Sequence, residues 1–397
     1  MGTLRSSTPL QAYAQRLVDD LLWSLKSPPL IASTKALERQ SIIERAPQTE
    51  QPIPDPVFPD AAFWHEAWLS ACDMISKPST VAALQADLES ERSRHRHGQL
   101  RLGLYFETLL GFWLKHSGRY EVLARHTPVV DMSGRTLGEP DWIVCNRRSK
   151  EDPTPATQHW EVAVKFYLAR SLPAASDRHC PGLHSFVGPE IQGTDTLLGK
   201  LRHMLVHQLA LELPLPQECG PVARVCCLKG KLFLPWKGGQ VLSSSWAEHT
   251  DSLSGDEAHR DLSSHDGAWL RQLAALPLAS NTPTGHWVST EQWPAFVHAA
   301  TNQATHTGWL RPGHTLTGRM LPKPYWLAPL RLNESQQLQS LEFGDLERLT
   351  TPTCIALVGD ASTALCQEPG SSAASPLIEW TRCFVVPKAF TKPACAE

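Results

Sequence analysis

Gly138-Glu139-Pro140-Asp141-Trp142-Ile143-Val144, a polar connection, and then Trp160-Glu161-Val162-Ala163-Val164-Lys165-Phe166-Tyr167 form the stretch that decides the reading of this chain. Its two runs are rich in Val, Ile, Trp and Phe. Between them lie Arg147-Arg148-Ser149-Lys150-Glu151-Asp152-Pro153 and a further Pro155, which predicts two strands joined by a loop. Side chains alternate along a strand, so Trp160, Val162, Val164 and Phe166 share one face and Glu161, Ala163, Lys165 and Tyr167 the other. The first set is a core face. The second carries a carboxylate and an amine, which are costly inside an apolar strand unless paired or bound to a metal. Asp141, entering the preceding strand just after Pro140, is the third member of the set if the two strands are neighbours.

Outward from these strands the pattern gives a larger unit. Leu100 to His116 is apolar nearly all round and predicts a buried helix with Glu107 in its middle, a carboxylate that needs a partner. Tyr120 to Asp131, Thr136 to Asn146 and Gln158 to Ala169 predict three strands. Thr194 to Leu211 then predicts a helix with Gln208 inside its leucine stripe and Lys200, His203 and His207 beside it. The two histidines have the i, i+4 spacing of a zinc pair, but Met204 follows His203, so the Glu of a His-Glu-x-x-His protease motif is missing. Val222 to Trp236 predicts a further strand or a hairpin turning at Lys229-Gly230-Lys231.

This order, helix, three strands, helix, strand, together with Pro140-Asp141 on one strand and an acid followed by Lys165 on the next, resembles the PD-(D/E)XK nuclease superfamily. The wider context, Gly103-Leu104-Tyr105-Phe106-Glu107 and Trp160 to Tyr167, resembles an uncharacterised bacterial family, domain-of-unknown-function family 1853. The resemblance implies an α/β (α+β) restriction-endonuclease-like core and metal-assisted phosphodiester hydrolysis. Asp141 and Glu161 would hold Mg²⁺ or Mn²⁺, Lys165 would act on the attacking water or the phosphate, and Glu107 would support the metal. Lys200 and Gln208 would contact the substrate, a nucleic acid, DNA more than RNA. The chain departs from the pattern at Ala163, which stands where the second acid normally lies; Glu161 is two residues further back, about 13 Å from Lys165 along the strand at roughly 3.3 Å per residue. A second expectation therefore stands beside the first: a decayed nuclease fold that binds nucleic acid or a protein partner without cleaving.

The 397 residues suggest several domains: an N-terminal helical region over 1–98, the nuclease-like core over 99–240, a linker or surface loop over 241–266 and a C-terminal mixed α/β region over 267–397. In the first region helices are expected over residues 9–26, 63–75 and from Pro78 onward, with a Pro-rich passage from Gln48 to Pro59; in the last, helices near Trp269 to Ala275 and Thr290 to Ala300, and strands at Tyr325 to Leu332, Cys354 to Val358 and Arg382 to Val386. Arg92, Arg94 and Arg96 read as a solvated surface, and Lys323 to Trp326 and Arg382 as packing residues. A net charge of −3 leaves no strong basic footprint. Residues 99–240 nonetheless hold 17 Lys and Arg against 13 Asp and Glu, while the rest holds 20 against 27, so the motif region is the basic part. Ten Cys without a Cys-x-x-Cys motif read as reduced thiols. With no apolar signal core at the N-terminus and no run of ~20 apolar residues, a cytoplasmic protein without membrane spans is expected.

Overall fold

Leu17, Leu21 and Leu25 recur at helical spacing and are buried, and the segment that they line is helix α1 (Pro9–Lys26). The computed structural model describes residues 9–31, 56–95, 100–147, 156–170, 183–190, 195–216, 220–242, 283–331, 334–360 and 377–391. The chain divides into two compact units, one of Met1–Lys165, Gly199–Gly230 and Pro277–Ala279, the other of Phe166–Leu198, Lys231–Leu276 and Ser280–Glu397.

In the first unit α1 is followed by α2 (Ala61–Ile75), α3 (Pro78–Ser93) and α4 (Leu102–His116). Asp60 caps α2 by accepting from the Phe63 N–H at 2.8 Å, and α3 opens with Pro78, whose missing N–H costs nothing in a first turn. Helix α4 is buried without interruption from Tyr105 to Leu114. Its Tyr105 hydroxyl donates to buried Asp20 at 2.8 Å, and Arg16 pairs with the same carboxylate at 3.0 Å, so these three polar groups satisfy one another inside the helix layer.

Strands β1 (Tyr120–Arg125), β2 (Val129–Val130), β3 (Thr136–Gly138), β4 (Trp142–Asn146) and β5 (Thr157–Ala169) follow. After them come α5 (Leu197–His203), a π-helical turn over Met204–Gln208, and β7 (Val222–Pro235). The sheet order within this unit is β1-β4-β5-β7, with β4 antiparallel to both β1 and β5. Trp142 stands opposite Trp160, and the Trp160 ring lies 5.7 Å from Phe63, 6.4 Å from Trp64 and 6.0 Å from Tyr120. Helix α4 reaches this face through Gly111, where an added Cβ would fall 1.9 Å from the Trp142 ring. Only glycine admits the indole there.

Two sequence expectations are corrected in this unit. The strand expected over Tyr120 to Asp131 ends at Arg125, because His126 adopts φ +47 and its N–H turns to the Pro140 carbonyl at 3.1 Å. The one expected over Thr136 to Asn146 is two strands broken at Glu139-Pro140-Asp141, so a small β2–β3 hairpin stands between β1 and β4. Of the strand or hairpin expected over Val222 to Trp236, the structure has the strand: β7 runs through Lys229-Gly230-Lys231 without turning. Gly230 is needed for close approach, since at φ +139 its Cβ would meet the Lys165 carbonyl oxygen at 1.7 Å. Strand β5 is buried on both faces apart from Lys165, as an interior strand covered on each side must be.

The second unit contains the last residues of β5 and β7, with β6 (Phe186–Val187) pairing at Leu168 and Ala169. Strands β8 (Thr284–Ser289), β9 (Thr317–Met320), β10 (Thr353–Asp360) and β11 (Leu377–Val386) complete the order β7-β8-β11-β10-β9. Helix α6 (Trp293–His306) packs Phe296, Ala300 and Ala304 into the core beside Ile355, Leu357 and Val385. The strand expected over Tyr325 to Leu332 is instead a 3₁₀ turn over Lys323–Tyr325 followed by irregular chain. Its carbonyls at Trp326, Leu327 and Ala328 accept from the buried Arg382 guanidinium rather than from a ladder. The helix expected near Trp269 and the linker expected over 241–266, apart from Val241 and Leu242, lie outside the described residues, as does Arg96.

Candidate metal centre

Because β4 and β5 are antiparallel with Trp142 opposite Trp160, Asp141 comes level with Glu161, on the face away from the two indoles. The Asp141 N–H donates to Glu161 Oε1 at 3.3 Å, and the Val162 N–H donates to Asp141 Oδ2 at 2.9 Å. The Pro140-Asp141 corner thus lets the carboxylate fold back on the neighbouring strand.

Two further groups arrive at this corner from different elements. Glu107, the third residue of α4's buried run, and His126, in its left-handed conformation past the end of β1, meet with Nε2 2.7 Å from Oε1. One donor atom each from Glu107, His126 and Asp141 lie within 4.8 Å of one another. Arg125 holds the Glu107 carboxylate from behind at 3.4 Å, and is itself held by Glu91 at 2.9 Å and by the Trp142 ring, 4.7 Å from its guanidinium. Two carboxylates and an imidazole at that spacing are a donor set for a divalent ion.

Glu161 sits deeper and is fully buried. Its oxygens accept from His159 Nε2 at 2.8 Å, from the Asp141 N–H and from the Gln208 side-chain amide. Arg224 donates to His159 Nδ1 at 3.1 Å, which leaves the ring proton on Nε2, directed at Glu161. Gln208 is turned toward Glu161 by the π-helical turn, and its own carbonyl oxygen accepts from Lys200 at 3.2 Å. Lys165 lies close enough to Lys200 for its charge to act on it.

The electrostatics follow from this crowding. Burial, with the charges of Glu161 and Glu107 beside it, pushes the Asp141 carboxyl up to about 8. Burial pushes Glu161 up to about 7 against the pull of its hydrogen bonds to Asp141. The charge of Glu161 thus disfavours ionisation of Asp141, while the hydrogen bonds from Asp141 favour ionised Glu161. Burial and Arg224 bring His159 down to about 3, so it is neutral and its contact with Glu161 is a hydrogen bond rather than an ion pair. Burial lowers Lys200, with Asp141 and Glu161 opposing the fall.

The structure therefore brings Asp141, Glu161 and Glu107 to one corner, with Lys200 and Gln208 linked to Glu161 and Lys165 beside Lys200. His203 and His207 are exposed, their rings 5.4 Å apart. Sequence reasoning passed over His126, Arg125 and Glu91, and the His159–Arg224 pair. A lone His two residues before a proline carries no motif; its signal is its place at the end of the strand that precedes the Pro-Asp corner. No described helix is long and apolar enough to cross a membrane. A family model described as "Domain of unknown function (DUF1853)" matches residues 19–386. No curated protein and no solved structure matches the chain.

Proposed function

The chain belongs to the DUF1853 family, and from that premise we propose that its first unit is a metal-dependent phosphodiester hydrolase acting on nucleic acid, DNA more than RNA, within the PD-(D/E)XK superfamily. The observation that carries the reading is the convergence of Glu107, His126 and Asp141 donor atoms within 4.8 Å of one another. Support comes also from the element order α4, the sheet strands β1, β4 and β5 with the short β6, α5, β7, and from the pairing that sets Asp141 beside Glu161.

A divalent ion held by these three side chains would acidify a bound water and offset charge on a phosphate oxygen. Glu161 fixes the Asp141 corner through its backbone N–H and is itself fixed by His159 and Gln208. Lys200, with Lys165 near it, supplies positive charge beside the carboxylates, where charge grows on a phosphoryl group during hydrolysis. The competing reading, a fold that binds without cleaving, rests on Ala163 and on the three N–H donors that engage Glu161.

A cleavage assay on labelled single- and double-stranded DNA and RNA, in Mn²⁺, Mg²⁺ and chelator, distinguishes them. Cleavage that needs the ion and falls about 100-fold or more in Asp141→Asn is expected. Binding without cleavage under every ion would establish the competing reading.

A further inference from the structure

Two of the three donors at the corner are oxygens and the third is a nitrogen. The geometry points to a divalent transition-metal ion of the Mn²⁺ or Co²⁺ class, in preference to Mg²⁺, as the ion this site takes, with His126 as the ligand that decides it. The inference rests on the metal-centre reading above and adds the identity of the ion.

The imidazole is placed as a ligand is placed. Neighbouring donors around an octahedral ion at about 2.1 Å stand about 3 Å apart. His126 Nε2 and Glu107 Oε1 are 2.7 Å apart, near that spacing already, and an Asp141 carboxylate oxygen lies within 4.8 Å of both. The backbone is committed to this arrangement. Among the described residues His126 is the one non-glycine with positive φ, and its N–H is tied to the Pro140 carbonyl, next to Asp141 itself. A left-handed residue at a strand end leaves the alternation of β1, and here that departure turns the ring toward Glu107. Glu107 is in turn steadied by Arg125, which Glu91 anchors from the other side. The His126 side chain remains 36% exposed, so the corner is open to an ion from solvent on the imidazole side.

Mg²⁺ takes oxygen ligands in a near-ideal octahedron, whereas imidazole nitrogen favours the first-row transition ions. An all-oxygen corner would leave that choice to the carboxylates alone. The nitrogen at position 126 removes a hard donor and supplies one for which Mg²⁺ has little use.

The test is calorimetric titration of the full chain with Mn²⁺, Co²⁺ and Mg²⁺, for the wild type and for His126→Gln, which offers an amide oxygen at similar reach. The wild type is expected to bind Co²⁺ and Mn²⁺ at least about tenfold more tightly than Mg²⁺, and His126→Gln to lose about 10- to 100-fold for Co²⁺ while Mg²⁺ affinity changes little. Equal affinities in the wild type, or equal losses for Co²⁺ and Mg²⁺ in the variant, overturn the inference while leaving a metal centre in place. Failure of the folded wild type to bind any of the three overturns the metal centre itself. Thermal melts accompany each titration; if His126→Gln does not fold, His126→Asn takes its place with the same expected outcome, since Asn tolerates left-handed backbone.

Discussion

Asp141 and Glu161 are adjacent carboxyls with different tasks. Asp141 faces the corner where Glu107 and His126 stand, whereas Glu161 is enclosed by N–H donors. Asp141→Asn is therefore expected to abolish ion binding with little loss of stability, because it keeps the shape and an oxygen to accept from the Val162 N–H. Calorimetry beside a thermal melt checks both halves. Glu161→Gln is expected to behave in the opposite order. Its new amide N–H would confront a donor from His159 or Gln208, leaving a buried group unsatisfied at a cost of about 1 to 3 kcal/mol, so melting temperature falls before ion affinity does. An unchanged melt with lost ion binding would make Glu161 a ligand. The carboxylates were legible in sequence because strand alternation fixes which face each occupies. His126 was not, since the direction of a side chain on a left-handed residue follows no periodicity.

Strand β7 shows what the element scale adds. Lys229 is fully buried, donates to the Leu25 carbonyl at 2.9 Å and stands 3.5 Å from the centre of the Trp64 ring. Its Nζ thus satisfies an orphan carbonyl in the last turn of α1. Burial lowers its pKa to about 7 from an ordinary 10.5. Between those values the unfolded chain binds more protons than the folded one, so this residue makes stability rise with pH across that window and contributes no slope below it. The Trp64 ring favours the charged form and reduces the rise. Denaturant unfolding from pH 6 to 10 is expected to show the wild type gaining on Lys229→Met as pH increases; a constant difference would mean that Lys229 stays charged throughout. Gly230→Ala, with a Cβ driven into the Lys165 carbonyl at unfavourable φ, is expected to cost about 3 kcal/mol or more, read as a lower denaturation midpoint. Sequence left Val222 to Trp236 open between a strand and a hairpin turning at Lys-Gly-Lys, because lysine and glycine are common in turns. The tertiary contacts with α1, Trp64 and β5 decide for the strand, and none of them is local in sequence.

At the scale of the whole molecule, charge sets the strength of any nucleic-acid complex. Residues 99–240 carry an excess of four positive charges in a chain whose net charge is −3, so few phosphates can be neutralised at once. With two or three such contacts, affinity is expected to fall about 10- to 40-fold between 50 and 200 mM salt, a shallow slope that fluorescence anisotropy can measure. The helices of the N-terminal region belong to the same compact unit as the Glu107–His126–Asp141 corner, and Glu91 of α3 reaches Arg125 beside it. Composition could not reveal that, because the joining pair is separated by 34 residues. The central claim, that Glu107, His126 and Asp141 share an ion, is tested most directly by an anomalous difference map from crystals grown with MnCl₂ and recorded on both sides of the manganese edge. A peak bounded by those three side chains, and lost in Asp141→Asn crystals, is expected. A map with His126 still bonded to Glu107 and no peak between them would contradict the claim.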